Sequence, residues 1–214
     1  MKRLFRLAAI HLFTVVVVLT TFADPVHAET PETDAQLAAE WQAAWDFYKF
    51  YECATAPLPV TGRKQVSRDI SIDIDAPIEH VFEVYSNVNN HVGLHSFLKR
   101  MVTHKDWTEA GTHYIDFTAI EEIPVAGVPV TSKTHAQQRI HPDGFSYETD
   151  SWSLPNVVTH QTIVFQDLGD TTRVTEHLTF EASVLLIDFT VTNGVSSHQE
   201  TQEGLKQAIE SGVF

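Results

Sequence analysis

The sequence predicts an α+β domain with an antiparallel sheet of about seven strands, two short helices after the first strand, and a long C-terminal helix. Three observations carry that reading. Ile70, Ile72 and Ile74 alternate with Ser71, Asp73 and Asp75, the period of a half-buried strand. Ala76-Pro77 ends the strand, because proline cannot donate to a sheet yet suits the first turn of a helix. Ile78, Val81, Phe82 and Tyr85 then follow at helical spacing. From Met101 to Glu181 the alternating segments are separated only by short turn signals, and successive strands joined so tightly run antiparallel.

Ahead of that domain, residues 1–28 have the pattern of an export signal. Lys2, Arg3 and Arg6 precede an almost wholly apolar run from Leu7 to Ala23, and Val26-His27-Ala28 ends in the small residue a signal peptidase requires. Cleavage is expected after Ala28, with a cut after Ala23 as the alternative. An uncleaved anchor fits less well, because the run is short for a span. The expected product is periplasmic or secreted and keeps no stable membrane span. Residues 29–60 hold an aromatic helix and a Pro-rich linker. Thr33-Asp34-Ala35-Gln36 has the form of a capping box, and Leu37, Trp41, Ala44, Trp45, Tyr48 and Tyr51 make one apolar stripe over 34–53. That stripe either packs on the main domain or offers an aromatic surface to a protein partner or a membrane interface. Pro57-Leu58-Pro59 closes the segment. Thr61 to Ser67 is a polar approach to the first strand, so the main domain is expected over 61–214.

After the helix at 77–86, Asn87–Asn90 breaks the pattern. A second short helix is expected at 91–100, burying Val92, Leu94, Phe97 and Leu98. Strands are expected at 101–107, 112–123, 130–140, 145–153, 157–166 and 171–181. Turn signals part them at Glu109-Ala110-Gly111, the PVAGVP stretch, His141-Pro142-Asp143-Gly144, Leu154-Pro155-Asn156 and Leu168-Gly169-Asp170. A closing helix at 184–211 carries Leu185, Leu186, Ile187 and Phe189. Val191-Thr192-Asn193-Gly194 predicts a kink in it, since β-branched residues and Gly are poor helix formers.

This element order, with the stretches IDIDAPIEHVFEVYSNVNNH, TTRVTEHLTFEA and HQETQEGLKQAIES, resembles the START-like or helix-grip superfamily over residues 68–212. That group includes polyketide cyclase/dehydrase and lipid-transport proteins of the SRPBCC type. The resemblance implies a sheet curled around the long helix, with an apolar cavity between them for a lipid-like or polyketide-like ligand. It brings no shared catalytic motif, so the fold does not name a reaction.

Strand parity says which side chains would face such a cavity. The candidates for ligand contact on the strands are Ile115, Phe117, Val130, Phe145, Tyr147, Thr149, Gln161, Ile163, Phe165, Val174 and Leu178. Phe82, Leu94, Phe97, Leu186 and Phe189 join them from the helical segments. Such a lining suits a mainly apolar ligand with one or two polar handles. Glu176 shares the apolar phase, so its carboxylate must be paired, protonated, or in contact with water or ligand. His113 lies on the inward phase of the third strand. Glu176 and His113, with Tyr147 near, are the candidate catalytic pair for acid–base chemistry on a carbonyl compound.

Composition narrows the partners. The formal net charge is −14, and removing Lys2, Arg3, Arg6 and Asp24 with the export signal takes it to −16. Such a surface repels phosphate backbones and anionic membranes, so no nucleic-acid partner is expected. Cys53 is the only cysteine, which excludes an internal disulfide. His91 and His95 share a helical face if that segment is helical, and His135, His160 and His177 fall on the outward phase of three strands as a possible exposed cluster. Two ligands without a third make no site, and no metal is expected. Neither a Gly-x-Ser-x-Gly elbow nor a Gly-rich phosphate loop occurs, and no cofactor is implied. The expectation is an exported binding or carrier protein for a small hydrophobic ligand; the alternative is a cyclase/dehydrase-type enzyme.

Overall fold

The alternation read at residues 70–75 belongs to a longer strand. A computed structural model of the protein describes residues 32–48, 62–125 and 127–214. Residues 33–214 form one unit. The expected export signal, Cys53, Tyr51 and the Pro-rich linker lie outside the described residues. The strands are β1 (Arg63–Ile74), β2 (Leu98–Glu109), β3 (Thr112–Val125), β4 (Val128–His141), β5 (Ser146–Ser153), β6 (Val157–Asp167) and β7 (Thr172–Ser183). They make one antiparallel sheet in the order β1-β7-β6-β5-β4-β3-β2. Its helices are α1 (Asp34–Tyr48), α2 (Ile78–Ser86) and α3 (Ile187–Glu210). This is the α+β, helix-grip architecture expected from the sequence.

Three boundaries differ from expectation. The polar approach at 61–67 is largely strand: β1 pairs with β7 from Arg63↔Ser183 onward. Val66 supports it by packing near Leu178 and Phe180. On the outward face, Ser67 and Ser71 hydroxyls meet those of Thr179 and Thr175 at 2.9 and 3.0 Å. Those cross-strand pairs exist only once β7 is in place.

The second short helix does not form. Val88–His91 is a single 3-10 turn, and Asn87 holds it by accepting from the Asn89 amide at 3.1 Å. Gly93 then takes φ +83°, a left-handed backbone that stops helical growth. Of the four side chains expected to be buried there, Leu98 is buried, Leu94 and Phe97 are half-buried and Val92 is exposed.

The third difference is α3, which runs from Ile187 to Glu210 without interruption. Gly194 does not interrupt it. A Cβ there would sit 2.4 Å from Phe180 Cε1, so the glycine is what lets the helix approach β7. Packing against the sheet overrides the poor local propensity.

The main core lies between the inner sheet face, α2 and the C-terminal half of α3. Ile74, Val81, Tyr85, Val174 and Leu205 are almost wholly buried there. Phe82 meets Phe145 and Phe165 edge-on, with ring centroids 5.5 and 5.2 Å away.

The capping box at Thr33 forms as expected. The Gln36 amide donates to Thr33 Oγ1, and Gln36 Oε1 accepts from the Thr33 amide at 2.8 Å. The α1 helix lies on the outer sheet face, with Leu37, Trp41 and Ala44 buried. Trp41 donates from Nε1 to the Ala136 carbonyl at 2.7 Å, and Lys133 pairs with Glu40 at 2.7 Å. Ala44 and Trp45 pack with Trp152 and Val158. The helix therefore covers part of the supposedly exposed histidine cluster. His135 stacks on Trp152, and His160 pairs with Asp150 at 2.6 Å; both histidines are buried, while His177 remains exposed. Among the described residues, no helix is long and apolar enough to cross a membrane.

Candidate functional site

A large open cavity of about 1300 Å3 extends from the space between α3 and the inner sheet face round to α1 and the outer-face residues Lys133, His135 and Trp152, and it adjoins a smaller inner chamber of about 140 Å3. Glu121, Thr134, Ser151, Gln161, Ser197 and His198 border both spaces. The outer space is walled by Phe180, Ile123 and Val130 on the strands and by Leu186, Phe189 and Gly194 on α3. It also reaches Ala43 and Ala44 of α1. Its apolar lining extends to exposed side chains at the mouth, among them Leu154, Leu185 and Val125.

The inner chamber is polar at its floor. Glu176 of β7 points inward and is 2 % exposed. Three groups converge on its carboxylate. Tyr85, from the last turn of α2, donates its hydroxyl to Oε1 at 2.5 Å, and Gln202 Nε2 donates to the same oxygen at 3.0 Å. His198 Nδ1 lies 2.7 Å from Oε2. His198 and Gln202 are four residues apart on α3, so both side chains reach down from one helical face.

The electrostatics follow from this convergence. Burial pushes the Glu176 pKa up, but the His198 charge and the bonds from His198, Tyr85 and Gln202 outweigh it, leaving Glu176 below the ordinary glutamate value. Burial likewise pulls His198 down, and the Glu176 carboxylate more than reverses that, so His198 is raised. The two form a buried carboxylate–imidazolium pair. Burial, then the Glu176 charge, drives the Tyr85 and Tyr147 phenols well above their usual range, so both stay protonated.

Burial also shifts nearby groups. Burial lowers His91, whose Nε2 contacts the Tyr85 carbonyl at 2.8 Å. Burial lowers His95 to about 4, and its Nδ1 accepts from the amides of Phe97 and Leu98 at 3.3 and 3.4 Å. Burial raises Glu121, which accepts from Thr134 Oγ1 at 2.8 Å. Gln138 of β4 also lines the inner chamber. It is fully buried, and neither its Oε1 nor its Nε2 has a partner among the described residues.

The structure distributes the sequence candidates as follows. Glu176, Phe117, Tyr147, Thr149 and Gln161 line the inner chamber, and Gln161, Phe97, Val130, Leu186 and Phe189 line the outer one. Phe82, Ile115, Ile163, Phe165 and Val174 belong to the packed core, with Phe145 and Leu94 against it. Leu178 packs in a second core cluster with Phe180 and Ile187.

His113 is not brought to Glu176. It sits near the β2–β3 turn, about a third exposed, with Nε2 2.7 Å from Asp106 Oδ1. Parity placed it on the inward phase correctly but says nothing of depth along the strand. His198, Gln202, Tyr85 and Gln138 were not among the sequence candidates. The i, i+4 spacing of His198 and Gln202 was visible, but a helix expected to kink offered no way to choose its inward face. His91 and His95 do not share a helical face, because the helix is absent. Among the described residues, no group of three or more His, Cys, Asp or Glu could hold a metal ion.

Comparison with known proteins supports the architecture. No protein-family model and no curated protein sequence matches the chain. Solved structures do match. TTHA0849 from Thermus thermophilus has a TM-score of 0.55 at 15% identity, covering 69% of this chain and 99% of that one. The Zhui aromatase/cyclase from Streptomyces has a TM-score of 0.52 at 11% identity, covering 68% and 96%. A START superfamily protein from Mycobacterium smegmatis has a TM-score of 0.50 at 12% identity, covering 68% and 98%. At these identities the likeness is one of fold.

Proposed function

We propose that this chain, START-like in fold, is an exported protein that binds a small, mainly apolar ligand between the sheet and α3. The observation that carries the proposal is the cavity of about 1300 Å3, apolar at its mouth and adjoining a polar inner chamber. Its lining matches the general form of small-molecule sites, which are apolar with a few placed polar groups. The role follows as carriage or sequestration of a lipid-like or polyketide-like molecule. Export rests on the leader pattern of residues 1–28.

Native mass spectrometry of the full-length gene product recovered from its own host tests both parts. The expected spectrum shows a chain beginning at Glu29 with a stoichiometric apolar adduct. Protein that is empty and also fails to take up the uncharged reporter N-phenylnaphthylamine would overturn the binding role. Recovery from the cytoplasm with Met1 intact would overturn export.

A second reading, an enzyme of the cyclase/dehydrase kind, is favoured by one observation. The Glu176–His198 pair and the Tyr147 phenol face the same chamber. Here His198, rather than His113, would exchange the proton with a carbonyl substrate. Glu176→Gln would then abolish turnover while leaving ligand loading intact.

A further inference from the structure

We infer that the inner chamber takes an uncharged ligand head bearing both a hydrogen-bond donor and an acceptor, of the carboxamide kind, and that Gln138 selects it. This rests on the ligand-binding role proposed above and names the chemistry of the polar end.

Gln138 lies at the centre of the sheet, opposite Ile115 on β3 and Thr149 on β5. Its neighbours along β4 on the same face are Ala136 and Ile140, both buried and apolar. A leucine would suit the position. A fully buried glutamine with neither amide atom paired is disfavoured in a folded interior unless something in the chamber satisfies it. The carboxamide presents one acceptor and two donors in a plane, and its best complement presents an adjacent donor and acceptor.

The surrounding groups disfavour charge. Glu176 and His198 already neutralise each other, and Tyr85 and Gln202 fill the remaining positions on the carboxylate. The Glu121 carboxyl is bonded to Thr134, and the His91 ring to the Tyr85 carbonyl. An ionised head would incur the cost of burial and compete with these existing contacts for a partner. The chamber of about 140 Å3 holds roughly five water-sized groups, enough for a small head whose chain continues past Gln161 and Ser197 into the outer cavity.

Displacement of N-phenylnaphthylamine from the full-length protein tests this, with four competitors sharing one alkyl chain. Dodecanamide offers donor and acceptor, methyl dodecanoate only acceptors, and dodecanoate and dodecyltrimethylammonium carry charge. Dodecanamide is expected to bind at least about tenfold tighter than each of the others, the scale of one satisfied buried hydrogen bond. In Gln138→Leu the ratio of the amide and ester displacement constants should fall to about one. The unliganded variant should melt higher than the parent, since two unpaired polar atoms are removed; a purely structural glutamine would give the opposite shift. Gln138→Met supplies the same comparison if the leucine variant does not fold. Equal binding of amide and ester, or a preference that survives in the variant, overturns the inference and leaves water as the partner of Gln138. Absence of reporter uptake by the parent protein overturns the binding role itself.

Discussion

Replacing His198 by leucine removes the counter-charge from a carboxylate that is 2 % exposed. Breaking a buried ion pair by deleting one partner costs about 3–5 kcal/mol. Glu176 keeps Tyr85 and Gln202 as donors to Oε1, and the adjacent chamber admits water, so the loss should fall near the lower end, about 3 kcal/mol. Glu176→Gln should cost only about 1 kcal/mol. Its amide oxygen still accepts from Tyr85 and Gln202, and His198, about a quarter exposed, can be solvated alone. With no charge left to strand, the double variant should lose less than the sum of the two, giving a coupling of about 2 kcal/mol.

The pH follows from the directions of the shifts. Glu176 is lowered on folding, so its contribution is present above the unfolded value of 4.5 and is lost as pH falls through the folded pKa. His198 is raised, so its contribution is present below 6.5 and is lost as pH rises through the folded pKa. The pair contributes fully between those two values, and urea denaturation at about pH 5.5 is the measurement. A coupling below about 0.5 kcal/mol, or a larger loss in Glu176→Gln than in His198→Leu, would refute the buried pair.

Gly194→Ala forces a Cβ to within 2.4 Å of the Phe180 ring. Overpacking of about 1–3 kcal/mol outweighs a helix-propensity gain of about 1 kcal/mol, so a net loss of about 1–2 kcal/mol is expected in urea titrations, with weaker reporter uptake. His95 is lowered to about 4 by burial, so unfolding takes up a proton between the unfolded value of 6.5 and about 4, and stability falls with falling pH. His95→Asn, which can still accept from the Phe97 and Leu98 amides, should flatten that fall; an unchanged slope across pH 6.5 to 4.5 would contradict it. Trp41→Phe removes the bond to the Ala136 carbonyl and should cost about 1–2 kcal/mol. Its effect on reporter binding should be small, because Trp41 is not among the lining residues.

The strand–proline–helix junction at 70–86 and the turn-separated strands carried most of the fold in readable form. Period-two alternation and turn residues are local properties, and local properties survive in a linear string. The errors fell where neighbours overrule propensity. Residues 63–67 look like loop until β7 pairs with them from Ser183 to Thr179 and Thr179 supplies a hydroxyl partner to Ser67. Gly194 looks like a helix breaker until Phe180 is placed against it. His135 and His160 look solvent-facing until α1 lies over part of that face. At the site, Glu176 stood out because a carboxylate interrupted an apolar phase. Its partners did not, since Tyr85, His198 and Gln202 are 91, 22 and 26 residues from it in sequence.

The class of fold, the chain order and faces of the strands, and the acidic character of the surface are all legible in the residue order. That order also singled out Glu176 as a buried acid needing an explanation, because parity and charge are readable from residue order alone. The depth of each residue along its strand, by contrast, emerges from the packed fold. That depth separates His113, at an exposed turn, from the chamber, and brings His198 to Glu176 in its place. It also leaves Gln138 without a partner among the described residues, since satisfaction of a hydrogen bond depends on what surrounds a group in space and not on what flanks it in the chain.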